Sequence, residues 1–310
     1  MGKTALLFAG QGAQKVGMGK ALAEAFPAAR EWFEKADAIL GYELSRICFE
    51  GPEETLTRTE HAQPAIYLTG WIAFRLLSEA APDLEWDAAA GLSLGEFTAL
   101  AAAGVFSFED GLRLVRRRGE LMQAACERNP GAMAAVIGLD EAATAAACAA
   151  HGAQIANLNC PGQIVISGEA RKVAAACEAA KAQGARRVAP LQVAGAYHSD
   201  LMRPAQPGLD KALASVPINL PAKPVLSNVT ARPHGAPSDI HRRLVDQLVS
   251  PVRWEESMRR LLAEGFDLFI ELGPGAVLSG FMKRIDRRAA TCRVEDPETL
   301  EATLKTLGRA

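Results

Sequence analysis

Short apolar runs alternate along the chain with longer, alanine-rich stretches whose apolar positions recur at helical spacing. Short apolar runs bounded by glycine or proline are typical of buried strands, and the longer amphipathic stretches are typical of helices. Strands are predicted at residues 4–9, 88–92 and 268–272. Helices are predicted at residues 64–80, about 94–103, 108–125, and from about 277 onward. Strands that alternate with helices in this way favour an α/β fold with a parallel sheet covered on both faces.

The middle of the chain follows a different order, in which two consecutive strands are joined by a turn. The pattern predicts a strand at 132–137, a helix at 141–150, strands at 154–158 and 164–167, a helix at 169–183 and a strand at 187–191. Asn159-Cys160-Pro161-Gly162 is a strong turn sequence between the two central strands. The order β-α-β-β-α-β is ferredoxin-like. We therefore predict a large α/β domain, formed by residues 1–127 and 195–310, with a ferredoxin-like small domain inserted at 128–194.

Composition narrows the possible functions. The chain has 310 residues, 49% of them hydrophobic, and a formal net charge of −2, so neither nucleic acid nor an anionic membrane is an expected partner. Its six cysteines are scattered and contain no CxxC pair, which argues against zinc and against a disulfide framework. No apolar segment approaches the length that spans a membrane. We expect a cytoplasmic protein.

A serine flanked by glycines follows the predicted strand at 88–92. Gly91-Leu92-Ser93-Leu94-Gly95 fits G-x-S-x-G, the pattern in which a sharp strand-to-helix turn exposes a serine oxygen. The glycines are needed because the crowded turn leaves no room for side chains. Ser93 is therefore the candidate nucleophile, and a hydrolase-like large domain is predicted. The alternative is a serine that caps an ordinary helix.

A serine nucleophile needs a general base, and His198 is the candidate. It lies in VAGAYHSDLMRP, where the chain leaves the predicted small domain, and the junction of two domains is a common place for a cleft. The other histidines lie in polar stretches and are expected to be exposed: His61, His151, His234 and His241. Asp110 and Asp140 lie between the serine and the base, but both begin predicted helices and are interpreted as caps.

A glycine-rich stretch, LLFAGQGAQKVGMGK at residues 6–20, directly follows an apolar run, an arrangement typical of a phosphate cradle. The match to a nucleotide P-loop fails. Gly12 and Gly17 have the right spacing, but Met18 stands where lysine is required. The pair Gly19-Lys20 lacks a glycine at position 14 and a hydroxyl at position 21. A nucleotide-binding protein is therefore not supported.

Eight motifs occur in the order and with the approximate spacing found in malonyl-CoA:acyl carrier protein transacylases. They are FAGQGAQ, GLSLGE, the Arg118-Gly119 pair in RRRGELMQ, GAMAAVIGL, NLNCPGQIVISG, GAYHSDLM, QLVSPVRW and IELGPGAVL. Essentially the whole chain resembles this family, and it also resembles the acyltransferase domains of fatty acid and polyketide synthases. The resemblance implies a ping-pong transfer of a malonyl group from malonyl-CoA to the phosphopantetheine thiol of acyl carrier protein, in fatty acid biosynthesis.

The resemblance also implies the roles of individual residues. Ser93 attacks the malonyl-CoA thioester, and His198 takes the serine proton and later activates the incoming thiol. The main-chain carbonyl of Gln247 orients the histidine, which accounts for the missing acid. Backbone N–H groups of Gln11 and Leu94 hold the oxyanion of the tetrahedral intermediate. The glycine loop therefore serves a transient negative charge.

Substrate binding is implied for four further residues. Arg118 binds the free carboxylate of the malonyl group, for which its planar fork is suited. Gln63 lines the pocket, and Tyr197 crowds an α-methyl branch, which favours malonyl over methylmalonyl. Asn159 lies on the small-domain side of the cleft, with a plain polar turn as an equal alternative. The chain departs from the family at Leu92, where histidine is usual, and this change is expected to affect the positioning and rate of the nucleophile.

A basic docking surface is expected because acyl carrier proteins are acidic. Two clusters qualify: Lys283, Arg284, Arg287 and Arg288, and Arg113, Arg116 and Arg117. Ordinary solvated helix faces are the alternative. We expect a monomer with no cofactor and no metal. The rival functions are a serine thioesterase or esterase, a polyketide-pathway acyltransferase, and a non-catalytic module that docks carrier proteins.

Overall fold

The computed structural model describes residues 2–309, and within them the chain forms eight strands and fourteen α-helices. The strands are β1 (Lys3–Phe8), β2 (Ala88–Gly91), β3 (Gly131–Ile137), β4 (Gln154–Cys160), β5 (Gln163–Glu169), β6 (Arg187–Pro190), β7 (Phe266–Leu272) and β8 (Ala290–Val294). The helices are α1 (Lys20–Ala25), α2 (Pro27–Leu40), α3 (Leu44–Glu50), α4 (Glu53–Thr57), α5 (Thr59–Ala80), α6 (Leu94–Ala102), α7 (Phe108–Arg128), α8 (Glu141–His151), α9 (Ala170–Ala182), α10 (Gln206–Ala214), α11 (Pro237–Asp246), α12 (Trp254–Ala263), α13 (Val277–Ile285) and α14 (Pro297–Thr306). Two 3-10 segments occupy Asp200–Ala205 and Gln247–Val249. Over this part of the chain, no helix combines the length and hydrophobicity that crossing a bilayer requires.

Four strands form a parallel sheet in the order β2-β1-β7-β8. Leu6, in the middle of β1, pairs with Ala89 on one side and with Ile270 on the other. The parallel sheet expected from the alternation of strands and helices is therefore confirmed. The predicted strands lie within two residues of β1, β2 and β7, and the edge strand β8 is an addition to them.

Both faces of the parallel sheet are buried. Leu6 and Phe8 pack into the larger core, with side chains of α5, α6 and α7. Ala5 and Leu7 point the other way, into a smaller core with α12 and α13. Because β1 has no face towards solvent, its sequence is an almost continuous apolar run rather than an alternation of apolar and polar residues.

The other four strands form an antiparallel sheet in the order β4-β5-β3-β6. Helices α8 and α9 cover one of its faces, packing on Ala134 and Val136. Met133 and Val165 belong to the opposite face, which borders the candidate site. The predicted order of strands and helices in this part of the chain is observed. The fold is thus α/β, with one parallel and one antiparallel sheet.

The turn between β4 and β5 is shorter than predicted. The strands extend to Cys160 and from Gln163, so the turn consists of Pro161-Gly162 alone. Asn159 therefore lies in a strand, with 6% of its surface exposed, and its interpretation as part of a polar turn is wrong.

Helix α5 begins at Thr59, five residues before the predicted start at Pro64. Proline favours the first position of a helix, which is why the sequence suggested a start there. Thr59, Ala62 and Gln63 are fully buried, and α5 packs along α7. This packing outweighs the local preference, because most helix stability in proteins comes from tertiary contacts.

Candidate active site

The turn between β2 and α6 presents Ser93 in an unusual backbone conformation, with φ 52° and ψ −100°. Positive φ is uncommon for a residue with a side chain and marks a strained turn. Asn228 holds the turn from both sides: its Oδ1 accepts from the Ser93 N–H at 2.7 Å, and its Nδ2 donates to the Gly91 carbonyl at 2.8 Å. The Ser93 hydroxyl caps no N–H of α6, so the alternative of an ordinary helix cap is wrong.

The glycines around the serine are required by close backbone approach. A Cβ at Gly91 would lie 1.9 Å from backbone atoms of Gly95, and a Cβ at Gly95 would lie 2.2 Å from the Phe8 carbonyl oxygen. Neither distance is compatible with a side chain. A Cβ at Gly10 would lie 2.3 Å from the Leu92 carbonyl oxygen. The glycine-rich loop after β1 therefore lies directly against the serine turn.

His198 joins Ser93 to a main-chain carbonyl. Its Nε2 lies 2.8 Å from Ser93 Oγ, and its Nδ1 lies 2.8 Å from the carbonyl oxygen of Gln247. Because a carbonyl only accepts, Nδ1 carries the proton, and Nε2 of the neutral ring is free to accept from the serine hydroxyl. Burial lowers the pKa of His198 to about 4, with a further contribution from the positive charge of Arg118, so the ring is neutral at pH 7.

Arg118 lies on α7 with 1% of its surface exposed and approaches the serine from inside the protein. Its Nη2 donates to Ser93 Oγ at 3.0 Å and to Gln247 Oε1 at 2.8 Å. Its Nη1 donates to Gln63 Oε1 at 2.8 Å, and among the described residues its Nε has no partner. Burial lowers the pKa of Arg118 to about 10, against the attraction of Glu96, so the guanidinium remains charged at neutral pH.

Ser93 and His198 open onto a cavity of about 220 Å³. One wall comes from the loops that follow β1 and β2, at the carboxyl ends of parallel strands, where α/β proteins commonly bind ligands. The opposite wall includes Met133 and Val165 from the uncovered face of the antiparallel sheet. The cavity thus lies between the two sheets, with the candidate nucleophile and base on its surface.

Besides Ser93 and His198, three of the predicted site residues line this cavity: Gln11, Tyr197 and Asn159. The Tyr197 hydroxyl pairs with Thr59 Oγ1 and accepts from Gln11 Nε2 at 3.3 Å, so the tyrosine is fixed to the glycine-rich loop. Asn159 Oδ1 has no hydrogen-bond partner within residues 2–309. Leu94 is the first residue of α6, so its N–H lies beyond the reach of the helix's own carbonyls.

A buried polar cluster lies behind Ser93, and the sequence analysis does not predict it. Glu96 is fully buried; its Oε1 lies 2.6 Å from His234 Nε2, and its Oε2 accepts from Gln247 Nε2 at 2.7 Å and from the Asn228 N–H at 3.1 Å. The prediction that His234 is exposed is wrong, because its side chain is fully buried against a partner 138 residues away. A single carboxylate within the mostly apolar helix LGEFTALAA was the available indication, since a buried charge needs partners.

Comparison with known proteins agrees with this geometry. The family model described as acyl transferase domain matches residues 5–296. The chain is 47% identical over 312 residues to the malonyl CoA-acyl carrier protein transacylase of Bacillus subtilis (strain 168), covering 99% of this chain and 98% of that protein. An acyl-carrier-protein-S-malonyltransferase from Bartonella henselae has a TM-score of 0.94 at 42% identity, with 99% of each chain covered. A type II PKS acyl-carrier protein in complex with its malonyl-transacylase gives 0.95 at 38% identity, covering 98% of this chain and 99% of that one.

Proposed function

The chain belongs to the acyl transferase domain family, and we propose that it is an acyl-carrier-protein S-malonyltransferase of fatty acid biosynthesis. It transfers a malonyl group from malonyl-CoA to the phosphopantetheine thiol of acyl carrier protein. The observation that carries this proposal is the pair of contacts on Ser93 Oγ, with His198 Nε2 at 2.8 Å and Arg118 Nη2 at 3.0 Å. The first group can remove the serine proton, and the second offers positive charge to an acyl group that carries a carboxylate.

The reaction proceeds in two halves through the serine. His198 Nε2 accepts the hydroxyl proton as Ser93 Oγ attacks the thioester carbonyl, and the CoA sulfur leaves with that proton as the intermediate collapses. In the second half, His198 Nε2 takes the proton of the carrier thiol as its sulfur attacks malonyl-Ser93, and it gives that proton to Ser93 Oγ as the serine leaves. The Gln247 carbonyl keeps Nδ1 protonated in both halves, so Nε2 is always the atom that exchanges the proton.

The oxyanion of each tetrahedral intermediate is held by the backbone N–H groups of Gln11 and Leu94. Two features support this assignment. The N–H of Leu94 is unused by its own helix, and the glycine-rich loop that carries Gln11 lies against the serine turn. Donors aimed at a developing charge typically lower the barrier by about 3 kcal/mol each.

Arg118 selects the acyl group. Its guanidinium is buried and charged, and its other polar contacts are the side-chain oxygens of Gln63 and Gln247, which are neutral. Within residues 2–309 no carboxylate contacts it directly, so a malonyl carboxylate would bind it without a competing negative charge, through the paired hydrogen bonds that favour arginine over lysine. An acetyl group offers no such partner.

Several finer assignments belong to the same proposal. Tyr197 restricts the space beside the acyl group, supported by its fixed ring on the cavity wall. Asn159 contacts the substrate from the antiparallel sheet, supported by its unpartnered oxygen. Leu92 lines the cavity where the family usually has histidine, so transfer proceeds without that side chain.

The monomeric state and the cytoplasmic location remain predictions.

The domain division is also part of the proposal. Residues 1–127 and 195–310 form the large domain, and its strand-turn-helix at Ser93 supports the hydrolase-like description. Residues 128–194 form the small domain, and its order of elements with the sheet order β4-β5-β3-β6 supports the ferredoxin-like description.

The rival functions are less well supported. A thioesterase or esterase of the usual kind places a carboxylate on the histidine, whereas His198 Nδ1 meets a carbonyl, and a buried arginine on the nucleophile has no role in hydrolysis of a neutral acyl group. A non-catalytic docking module would not need the complete set of nucleophile, base and arginine. A polyketide-pathway acyltransferase performs the same chemistry and differs only in the carrier protein.

Intact-protein mass spectrometry tests the proposal. The protein is incubated briefly with malonyl-CoA, with acetyl-CoA, and with malonyl-CoA followed by holo acyl carrier protein of the fatty acid or the polyketide type. We expect a malonyl adduct that forms much faster than an acetyl adduct and passes to the fatty acid carrier. Ser93→Ala abolishes the adduct, whereas Ser78→Ala, on α5, leaves it unchanged.

Each alternative gives a different result. An adduct that decays to free malonate at the same rate with and without carrier indicates a hydrolase. Faster transfer to the polyketide carrier indicates the polyketide pathway. Absence of any adduct from the folded protein indicates the docking module.

A further inference from the structure

A buried carboxylate is connected to Arg118 through the side-chain amide of Gln247. The amide oxygen accepts from Arg118 Nη2 at 2.8 Å, and the amide nitrogen donates to Glu96 Oε2 at 2.7 Å. Arg118 is 1% exposed, and the other two side chains are fully buried. None of the chemical steps proposed above uses Glu96, and the main-chain carbonyl of Gln247 was the only part of that residue predicted to act.

The neighbours of this amide determine which way it points. An arginine has only donors and an ionised carboxylate only accepts, so the oxygen must face Arg118 and the nitrogen must face Glu96. The nitrogen also donates to the Ser93 carbonyl at 2.9 Å and to Asn228 Oδ1 at 3.3 Å. The carboxylate is the closest and strongest of these three acceptors, because hydrogen bonds to charged groups are the shorter and stronger ones. Glu96 is therefore the main anchor of the amide.

The carboxylate is itself held in place from two other directions. His234 Nε2 and the Asn228 backbone N–H converge on it from the segment that follows α10. On the next residue of α6, the Phe97 ring packs 5.4 Å from the Arg118 guanidinium carbon. The helix that carries the anchor thus also contacts the arginine directly.

We propose that Glu96 is a positioning residue for recognition of the acyl carboxylate: by fixing the Gln247 amide, it holds the Arg118 guanidinium beside Ser93 Oγ. This inference rests on the proposed malonyl transfer. Misplacement of a binding group by about 1 Å costs up to about 100-fold in rate. An acyl group without a carboxylate makes no use of this arrangement, so loss of Glu96 affects malonyl much more than acetyl.

The first variant is Glu96→Met, which removes the acceptor without leaving a charge. Single-turnover acylation of Ser93 is followed by intact mass, with malonyl-CoA on short times and acetyl-CoA on long times. We expect malonylation to fall about 10- to 100-fold and acetylation to change less than about threefold. Glu96→Gln keeps an oxygen that accepts from the Gln247 amide, so we expect it to recover at least about fivefold of the lost malonylation.

A double-mutant test locates the effect. In an Arg118→Met background, Glu96→Met should cause no further loss of malonylation, because the group that it positions is already absent. The matched control is Glu271→Met. Glu271 is an equally buried carboxylate that accepts from the N–H groups of Leu278 and Ser279 at the start of α13, and its loss should leave the malonyl-to-acetyl ratio unchanged.

Two results would overturn the inference. An equal fall with both thioesters means that Glu96 only supports the serine turn through Asn228, and an unchanged malonylation rate means that the amide needs no anchor. If Glu96→Met does not fold, Gln247→Met removes the same link from the other side and must lower the malonyl-to-acetyl ratio. If the wild-type protein forms no malonyl adduct, the result contradicts the proposed function; the positioning role of Glu96 is contradicted only by the variant results above.

Discussion

Among single residues, His198 carries the most specific prediction, because its surroundings disfavour its charged form. Burial and then Arg118 lower its pKa to about 4, although hydrogen bonds with the backbone of Gln247 and Ser250 act in the opposite direction. The neutral ring is the base, so activity is present above this pKa and lost as the pH falls through it. We expect kcat/KM for malonylation of Ser93 to stay within about twofold between pH 8 and pH 5.5. The lower of these two pH values lies well below the usual histidine pKa of about 6.5.

The comparison protein for this profile is Arg118→Met. Removing the nearby positive charge should move the acid limb upward, because the second cause of the shift is gone while burial remains. Circular dichroism at each pH confirms that the protein is folded where the rate is measured. A wild-type midpoint at or above about 6.5 would contradict the proposed environment of His198.

Among the elements, the turn from β2 into α6 is the one whose geometry is least tolerant of change. A Cβ at Gly95 would lie 2.2 Å from the Phe8 carbonyl oxygen and 2.8 Å from that of Ala9, which are backbone atoms that cannot move aside. We expect Gly95→Ala to lower the free energy of unfolding by about 3 kcal/mol or more, measured by urea denaturation, and to abolish Ser93 acylation. Gly280→Ala is the matched control, because that helical glycine has open space around it and alanine should stabilise α13 by up to about 1 kcal/mol. A Gly95→Ala protein of unchanged stability would mean that the turn and β1 are not in close contact.

Elements that depend on local pattern were predictable, and contacts between distant segments were not. Strands β1 and β2 and the serine turn follow from short apolar runs and glycine spacing. The predicted start of α5 at Pro64 is wrong because packing along α7 outweighs the preference of proline for the first position of a helix. No local sequence pattern indicates this packing. The contact between His198 and the Gln247 carbonyl spans 49 residues of sequence. Its prediction rests on family resemblance and not on residue spacing. The pair formed by Glu96 and His234, which are 138 residues apart, was predicted neither by spacing nor by family resemblance.

On the scale of the whole molecule, the cavity between the two sheets is bordered by α13. Val277, Leu278 and Phe281 of this helix line the cavity, and its other end carries exposed cations. Arg284 donates to the Pro161 carbonyl, which ties the helix to the hairpin of the antiparallel sheet. One end of the helix thus borders the cleft while the other carries positive charge beside the hairpin.

The two basic clusters predicted from the sequence differ in how far their charge is balanced. In the cluster on α7, each arginine pairs with Asp110 or Glu120. In the cluster at the end of α13, Arg288 pairs with Asp286. Within residues 2–309, no carboxylate lies at ion-pair distance from the other three cations, Lys283, Arg284 and Arg287. The α13 cluster therefore presents the stronger positive field to an acidic carrier protein.

Charge reversal at this cluster tests whether it docks the carrier. In Lys283→Glu/Arg287→Glu, we expect kcat/KM for acyl carrier protein to fall about tenfold or more, and its dependence on salt to weaken, because both follow from steering by opposite charge. Malonylation of Ser93 by malonyl-CoA, measured without carrier, should change less than about twofold. Arg113→Glu/Arg117→Glu makes the same charge change on α7, where the cations are already paired, and should leave both rates nearly unchanged. If both half-reactions fall equally in the α13 variant, the cluster binds the phosphates of CoA, and the carrier docks elsewhere.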